Sequence, residues 1–167
     1  GLEGTAIPFK YNDISDFKRI IDHNPDIGTI VIEGARYDFP SKGFLDEIQN
    51  IANEKKIIVI LDEITSGWRI TDGGVFKTNG FQQEIVVFGK GMGNGYAISA
   101  VVGKKEGMDM SQETFISSTF RTERIGFSAA LTTIDILCRE KVWNHLIKIG
   151  NMIGEGWINL SKKHRIK

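Results

Sequence analysis

A single cysteine, Cys138, stands among the 167 residues, so no internal disulfide framework can form and a reducing compartment, the cytoplasm, is expected. Net charge is missing too. The 21 basic and 21 acidic residues balance, which gives no reason to expect nucleic acid or an anionic membrane as partner. The longest apolar stretches, such as Ile57-Ile58-Val59-Ile60-Leu61, fall far short of the ~20 residues that span a bilayer. Gly1-Leu2-Glu3-Gly4 has neither a basic nor an apolar region of signal-peptide type, and the lack of an initiator methionine suggests a fragment of a longer polypeptide. There is no internal repeat and no low-complexity segment. His23, His145 and His164 show no ligand spacing with Cys138, so no metal site is expected.

What is present is an ordinary globular profile, 41% hydrophobic and 25% charged, of a size that suits one domain. Asn12 or Asp13 can cap a helix carrying Ile14, Phe17, Ile20 and Ile21, which should end before Pro25. Thr29 to Ile32 reads as a β-branched strand ending at Glu33-Gly34. Pro40-Ser41 opens a second helix with Phe44, Leu45, Ile48, Ile51 and Ala52 on one face. Ile57 to Leu61 is apolar throughout, as a strand covered on both faces would be, and Asp62-Glu63 follow at its carboxyl end.

The polar, Gly-rich stretch from Thr65 to Gly80 is expected to be a loop, long enough to suggest a functional one. Ile85 to Phe88 is another strand, followed by Gly89-Lys90, and Ala97 to Val102 a further one after a Gly-rich turn. Two helical stripes close the chain. Phe127, Ala130, Leu131, Ile134 and Leu137 form a buried one; Val142, Leu146, Ile149, Ile153, Trp157 and Leu160 run towards the basic Lys162-Lys163-His164-Arg165. Trp143 and Trp157 read as core or interface residues.

Alternating strands and helices predict an α/β fold with a mostly parallel sheet and flanking helices, whose ligand site lies at the carboxyl ends of the strands. Glu33, Asp62-Glu63 and Lys90 occupy those ends. Taken alone, Lys90 is compatible with a turn lysine pointing into water. The glycines around it miss the spacing of both a phosphate-binding P-loop and a dinucleotide fingerprint. A lysine between small residues also suits an amine that condenses with a bulky aldehyde. Asp62 alone is compatible with a helix cap or an ion pair, or with an anion that keeps a pyridine nitrogen protonated. The two lie 28 positions apart, each at the end of an apolar strand, which can bring both to one crevice.

Leu61-Asp62-Glu63-Ile64-Thr65-Ser66-Gly67-Trp68-Arg69 resembles the Asp-Glu-Val-x-Thr-Gly-Phe-Arg segment of class III pyridoxal-phosphate-dependent aminotransferases, glutamate-1-semialdehyde aminomutases above all. Phe88-Gly89-Lys90-Gly91-Met92-Gly93-Asn94-Gly95-Tyr96 resembles the family's segment around its Schiff-base lysine. The likeness continues through Tyr11-Asn12-Asp13, Ile30-Val31-Ile32-Glu33, Gly43-Phe44-Leu45, Ser118-Thr119-Phe120 and Ala129-Ala130, covering most of the chain in consistent order.

The resemblance implies the large domain of a fold type I transferase, with pyridoxal 5'-phosphate (PLP) as cofactor. Residues 1–145 would be the carboxyl-terminal half of that domain, and 146–167 the start of the helix leading to a smaller one. The reaction would be amino-group transfer, or the intramolecular shift of an aminomutase, on a small amino or keto substrate. Lys90 would carry the Schiff base and move the substrate proton, and Asp62 would pair with the pyridine nitrogen. Ile64 would pack on the ring face, with Thr65 near the ring hydroxyl. Thr119 matches a threonine that reaches the phosphate in the neighbouring subunit, which implies a homodimer with shared sites.

Family members run to over twice this length, and their upstream half holds the phosphate. A catalytically inactive fragment with a structural or interaction role is therefore the rival expectation. Gly34 replaces the usual Pro and leaves Glu33 without a role. Arg121-Thr122-Glu123-Arg124 replaces the usual Gly-Asn-Pro. Arg121 and Arg124 suit either a substrate anion or surface pairing with Glu123.

Overall fold

The computed structural model describes residues 3–35, 37–116, 119 and 121–166. Its centre is a four-stranded sheet in the order β1-β2-β3-β4, with β1 Thr29–Glu33, β2 Ile58–Asp62, β3 Ile85–Phe88 and β4 Ala100–Gly103. β1, β2 and β3 are parallel, and β4 returns antiparallel to β3. The helices are α1 Ile14–His23, α2 Phe44–Lys55, α3 Phe76–Asn79, α4 Lys105–Met108, α5 Arg124–Glu140 and α6 Val142–His164. Two 3-10 turns, Lys90–Met92 and Asp109–Gln112, complete the list of described elements.

Local chemistry sets the boundaries. Asp13 caps α1 by accepting from the Asp16 N–H at 3.0 Å, and the helix stops at His23 ahead of Pro25. α2 starts at Phe44 rather than at Pro40-Ser41, because Gly43 takes a left-handed backbone, φ 82°, immediately before it. β4 begins at Ala100, later than the expected Ala97: the Gly-rich turn closes with Tyr96 N–H to Gly93 O at 3.1 Å, and residues 97–99 lead from it to the strand without pairing in the sheet. The Thr65–Gly80 stretch is mostly turns and bends, with α3 as one short helix inside it.

Burial follows the two-residue period of the strands. Ile30 and Ile32, Val59 and Leu61, and Val86 and Phe88 point into one core with Phe17 and Ile21 of α1 and Phe44, Leu45 and Ile48 of α2. Register places Val31, Ile60 and Ile85 in a row on the opposite face, and Glu33, Asp62, Val87 and Val101 in the next. That second face is only partly covered among the described residues: Val31 is 61% exposed and Ile58 38%, while Ile60, Ile85 and Val87 are half-buried. The expectation of a β2 covered on both sides is therefore corrected, since only the odd-numbered residues of β2 are sealed.

The α5 stripe is corrected in the same way, since only Gly126 and Ala130 of that helix are buried. The α6 stripe has no buried residue, and Trp157 lies at the surface rather than in the core. Both helices form because their apolar residues recur at helical spacing, yet most of those residues meet no partner element among the described residues. Among those residues, too, no helix is long and apolar enough to cross a membrane, and no group of three or more His, Cys, Asp or Glu side chains is placed to hold a metal ion.

Candidate active site at the carboxyl edge of the sheet

The strand ends bring the candidate residues to one edge. Glu33 of β1 sits in register with Asp62 of β2, and Asp62 with Val87 of β3, two residues before Gly89-Lys90. Asp62 is half-buried, and its Oδ1 accepts from the Ile64 N–H at 2.9 Å. This self-bonded turn fixes the carboxylate and directs the chain into the loop. No other hydrogen bond engages the Asp62 carboxylate among the described residues.

Lys90 opens a 3-10 turn with a left-handed backbone, φ 39°, a conformation that non-glycine residues adopt at a cost of roughly 1–2 kcal/mol. Its carbonyl accepts from Gly93 N at 3.2 Å and Asn94 N at 3.1 Å, so the turn that follows the strained residue is tied back to it. Its Nζ donates to Thr65 Oγ1 at 2.8 Å. Thr65 is itself held, since its carbonyl accepts from Arg69 Nε at 2.7 Å. The structure thus joins Lys90 and Thr65 directly. Ile64 lies beside Gly89, with Cγ2 3.5 Å from where a Cβ would stand. The Lys90 side chain is exposed, not enclosed in a dry pocket, because the described residues build only one side of the crevice.

A cleft of about 1030 Å³ runs between the amino-terminal segment Thr5–Phe9 and β1, and reaches Glu33 and Asp62. Thr119 is exposed in the connection before α5, and no hydrogen bond links it to Lys90, Asp62 or Thr65 among the described residues. Its neighbours Ser118 and Phe120 lie outside those residues. Glu123 does not pair with Arg121 or Arg124. Its carboxylate caps α5, accepting from Ile125 N at 2.6 Å and Gly126 N at 3.2 Å, because the first helical N–H groups need acceptors. Arg121 and Arg124 are exposed.

Glu63 and Trp68 received no role in the sequence, yet both are central to the loop. Glu63 is wholly buried, and its Oε2 accepts from Ser66 Oγ at 2.5 Å and its Oε1 from Phe76 N at 3.3 Å. Burial pushes its carboxyl above the usual range, against the lowering pull of Ser66 and the Val75 and Phe76 amides, and the Asp62 charge pushes the same way as burial. Strand parity was the available signal: Val59, Leu61 and Glu63 share the inward phase. Trp68 packs on Phe88 with ring centroids 5.5 Å apart and holds φ 64°, which no sequence pattern announces.

Strand ends presenting a carboxylate, an amine and a hydroxyl at the edge of a mostly parallel sheet define an α/β protein with its site at the strand termini. The aminotransferase class-III family model matches residues 12–167, and the chain belongs to that family. It is 38% identical over 154 residues to a 3-aminobutyryl-CoA aminotransferase of Cloacimonas acidaminovorans, covering 87% of this chain and 37% of that protein. It is 34% identical over 164 residues to a glutamate-1-semialdehyde 2,1-aminomutase of Campylobacter hominis, covering 93% and 36%. Among solved structures, the PLP internal aldimine form of the Sphingopyxis sp. MTA144 FumI protein superimposes with a TM-score of 0.85 at 22% identity, over 95% of this chain and 40% of that one. That likeness shows the fold, an α/β arrangement with a mostly parallel sheet and flanking helices. The chain spans well under half the length of the relatives it matches.

Proposed function

We propose that the protein carrying this chain is a PLP-dependent aminotransferase or aminomutase acting on a small amino or keto substrate, with Lys90 as the lysine that binds the cofactor aldehyde. The observation that carries the reading is the Lys90 Nζ to Thr65 Oγ1 bond of 2.8 Å, at the same sheet edge as Asp62. The donor set fits the cofactor. Asp62 keeps an oxygen unengaged by any described residue for a pyridinium N–H, Lys90 offers a primary amine, and Thr65 a hydroxyl. When bound, PLP supplies an electron sink for the substrate carbanion.

The chain's own residues would do the rest. Asp62 would hold a proton on the ring nitrogen, and Ile64, which lies beside Gly89, would pack on the ring face. Thr65 orients the Lys90 amine, which then carries the proton to and from the substrate carbon. Thr119, exposed before α5, would reach the phosphate of a neighbouring subunit's cofactor, making the enzyme a homodimer with shared sites. Residues 1–145 would complete the large domain and 146–167 lead out of it. A cytoplasmic location agrees with Cys138 being free and exposed.

The reading is tested by titrating the native full-length polypeptide with PLP and following the visible absorbance of bound cofactor. Saturable binding that Lys90→Ala removes, and that Asp62→Asn weakens, supports it. Equal absorbance in wild type and Lys90→Ala contradicts it, and absence of any binding by the wild type favours the inactive-fragment reading.

A further inference from the structure

Asp62 and Thr65 sit on either side of a residue that no part of the proposed chemistry uses. Glu63 points the opposite way from Asp62, into the protein, at 0% exposure. Three segments close on its carboxyl group. The 63–67 turn returns to it through Ser66 Oγ, while the backbone of that turn is closed separately by Gly67 N, which donates to the Glu63 main-chain carbonyl at 2.8 Å. The end of the long loop reaches it through Phe76 N. The residue after β1 approaches closely enough that a Cβ at Gly34 would stand 3.1 Å from Glu63 Oε1, and one at Gly74 would stand 2.8 Å away. Gly34, the departure from the family pattern, is thus a position where a side chain would press on this carboxyl. Tyr11 holds Gly34 from behind, donating from Oη to its carbonyl at 3.2 Å.

A buried carboxylate is an expensive way to close a loop, since apolar residues of the same volume are often as stable or more so. Its arrangement has a consequence for the site: Asp62 Oδ1 bonds Ile64 N and Thr65 Oγ1 bonds Lys90, so all three groups hang on the short turn that Glu63 anchors. We propose that Glu63 is a positioning residue, which sets Asp62 and Thr65 relative to Lys90 by drawing the 63–67 turn and the Gly74–Phe76 segment onto one carboxyl group. The inference rests on the proposed PLP site and adds to it a residue that does not touch the cofactor.

Two conservative variants separate reach from charge. In Glu63→Gln the amide oxygen can still accept from Phe76 N, and the amide nitrogen can donate to Ser66 Oγ. Glu63→Asp keeps the charge but is shorter by one carbon–carbon bond, about 1.5 Å, and cannot span both partners. In the native full-length polypeptide, PLP affinity from absorbance titration should stay within about threefold of wild type in Glu63→Gln and weaken roughly tenfold or more in Glu63→Asp. Amide exchange at Phe76, whose N–H donates to the Glu63 carboxylate, should accelerate only in Glu63→Asp, while thermal denaturation shows both variants folded. Equal affinity in all three proteins, or loss in Glu63→Gln with retention in Glu63→Asp, overturns the inference. If Glu63→Asp does not fold, Ser66→Ala, which cuts one tie and keeps Glu63, must weaken PLP binding with the fold intact, and unchanged binding overturns it. A wild type that binds no PLP defeats the site itself, a different failure.

Discussion

Lys90 combines an exposed amine with a left-handed backbone of φ 39°, a conformation paid for by the rest of the turn. Thr65 receives the amine, so the rotamer that presents Nζ is fixed by a residue 25 positions away. Thr65→Val removes the acceptor at nearly constant shape, and should weaken PLP binding by about tenfold without loss of fold, measured by absorbance titration beside a thermal melt. Glu63 gives a pH prediction. Its folded-state pKa lies above the ordinary 4.5, so its contribution to stability is fully present below that value and is lost as pH rises through the raised one. Tyr11, pushed up to about 12 by burial and by Glu33, Asp38 and Glu63, stays neutral throughout that window, while Asp62 adds a like charge beside Glu63. Glu63→Gln should therefore be at least as stable as wild type near neutrality and lose that advantage in acid; a stability difference independent of pH would contradict the assignment. Gly74→Ala is expected to destabilise by roughly 1–3 kcal/mol in chemical denaturation, because its Cβ would overlap the Phe76 ring and crowd Glu63.

At the scale of elements, α6 carries Gly150, Gly154 and Gly156, and a Cβ at each would meet open space. Each glycine weakens a helix by about 1 kcal/mol against alanine, so alanine at any of them should raise the helicity and melting temperature of the 167-residue chain, as circular dichroism would show. No gain at any of the three would mean that something approaches α6 at those positions. The strands and long helices were legible because period two and period 3.6 are written in single side chains: Ile30, Ile32, Val59 and Leu61 for the core, Ile14, Phe17 and Ile21 for α1. What covers an element is not written there. Phe127 and Leu131 have the spacing of a buried stripe and are 54% and 72% exposed, because burial depends on a second surface that periodicity cannot name. The site was legible only as separate strand ends. The Lys90–Thr65 contact and the Glu63 clamp depend on turn geometry within 63–76, where short polar residues bond their own neighbours and leave no period to read.

At the scale of the whole molecule, the described residues seal one face of the sheet and cover the other only in part. Parallel sheets are found buried on both sides, and here the side bearing Val31, Ile58, Ile60, Ile85 and Val87 leads directly to the Asp62 edge. The 167-residue chain alone should bind a hydrophobic dye such as anilinonaphthalene sulfonate, and Val31→Lys should lower that fluorescence; a chain that binds none has covered the face by self-association or rearrangement, which sedimentation would reveal. The same openness explains why Lys90 is exposed although it lies only two residues beyond the end of β3. The central claim is that this amine, among the lysines of the chain, is the one that takes the cofactor. Borohydride reduction of the full-length polypeptide with PLP, followed by mass mapping of the pyridoxyl adduct, tests it most directly. The account predicts one stoichiometric label, on Lys90; a label on another lysine, or on none, would contradict it.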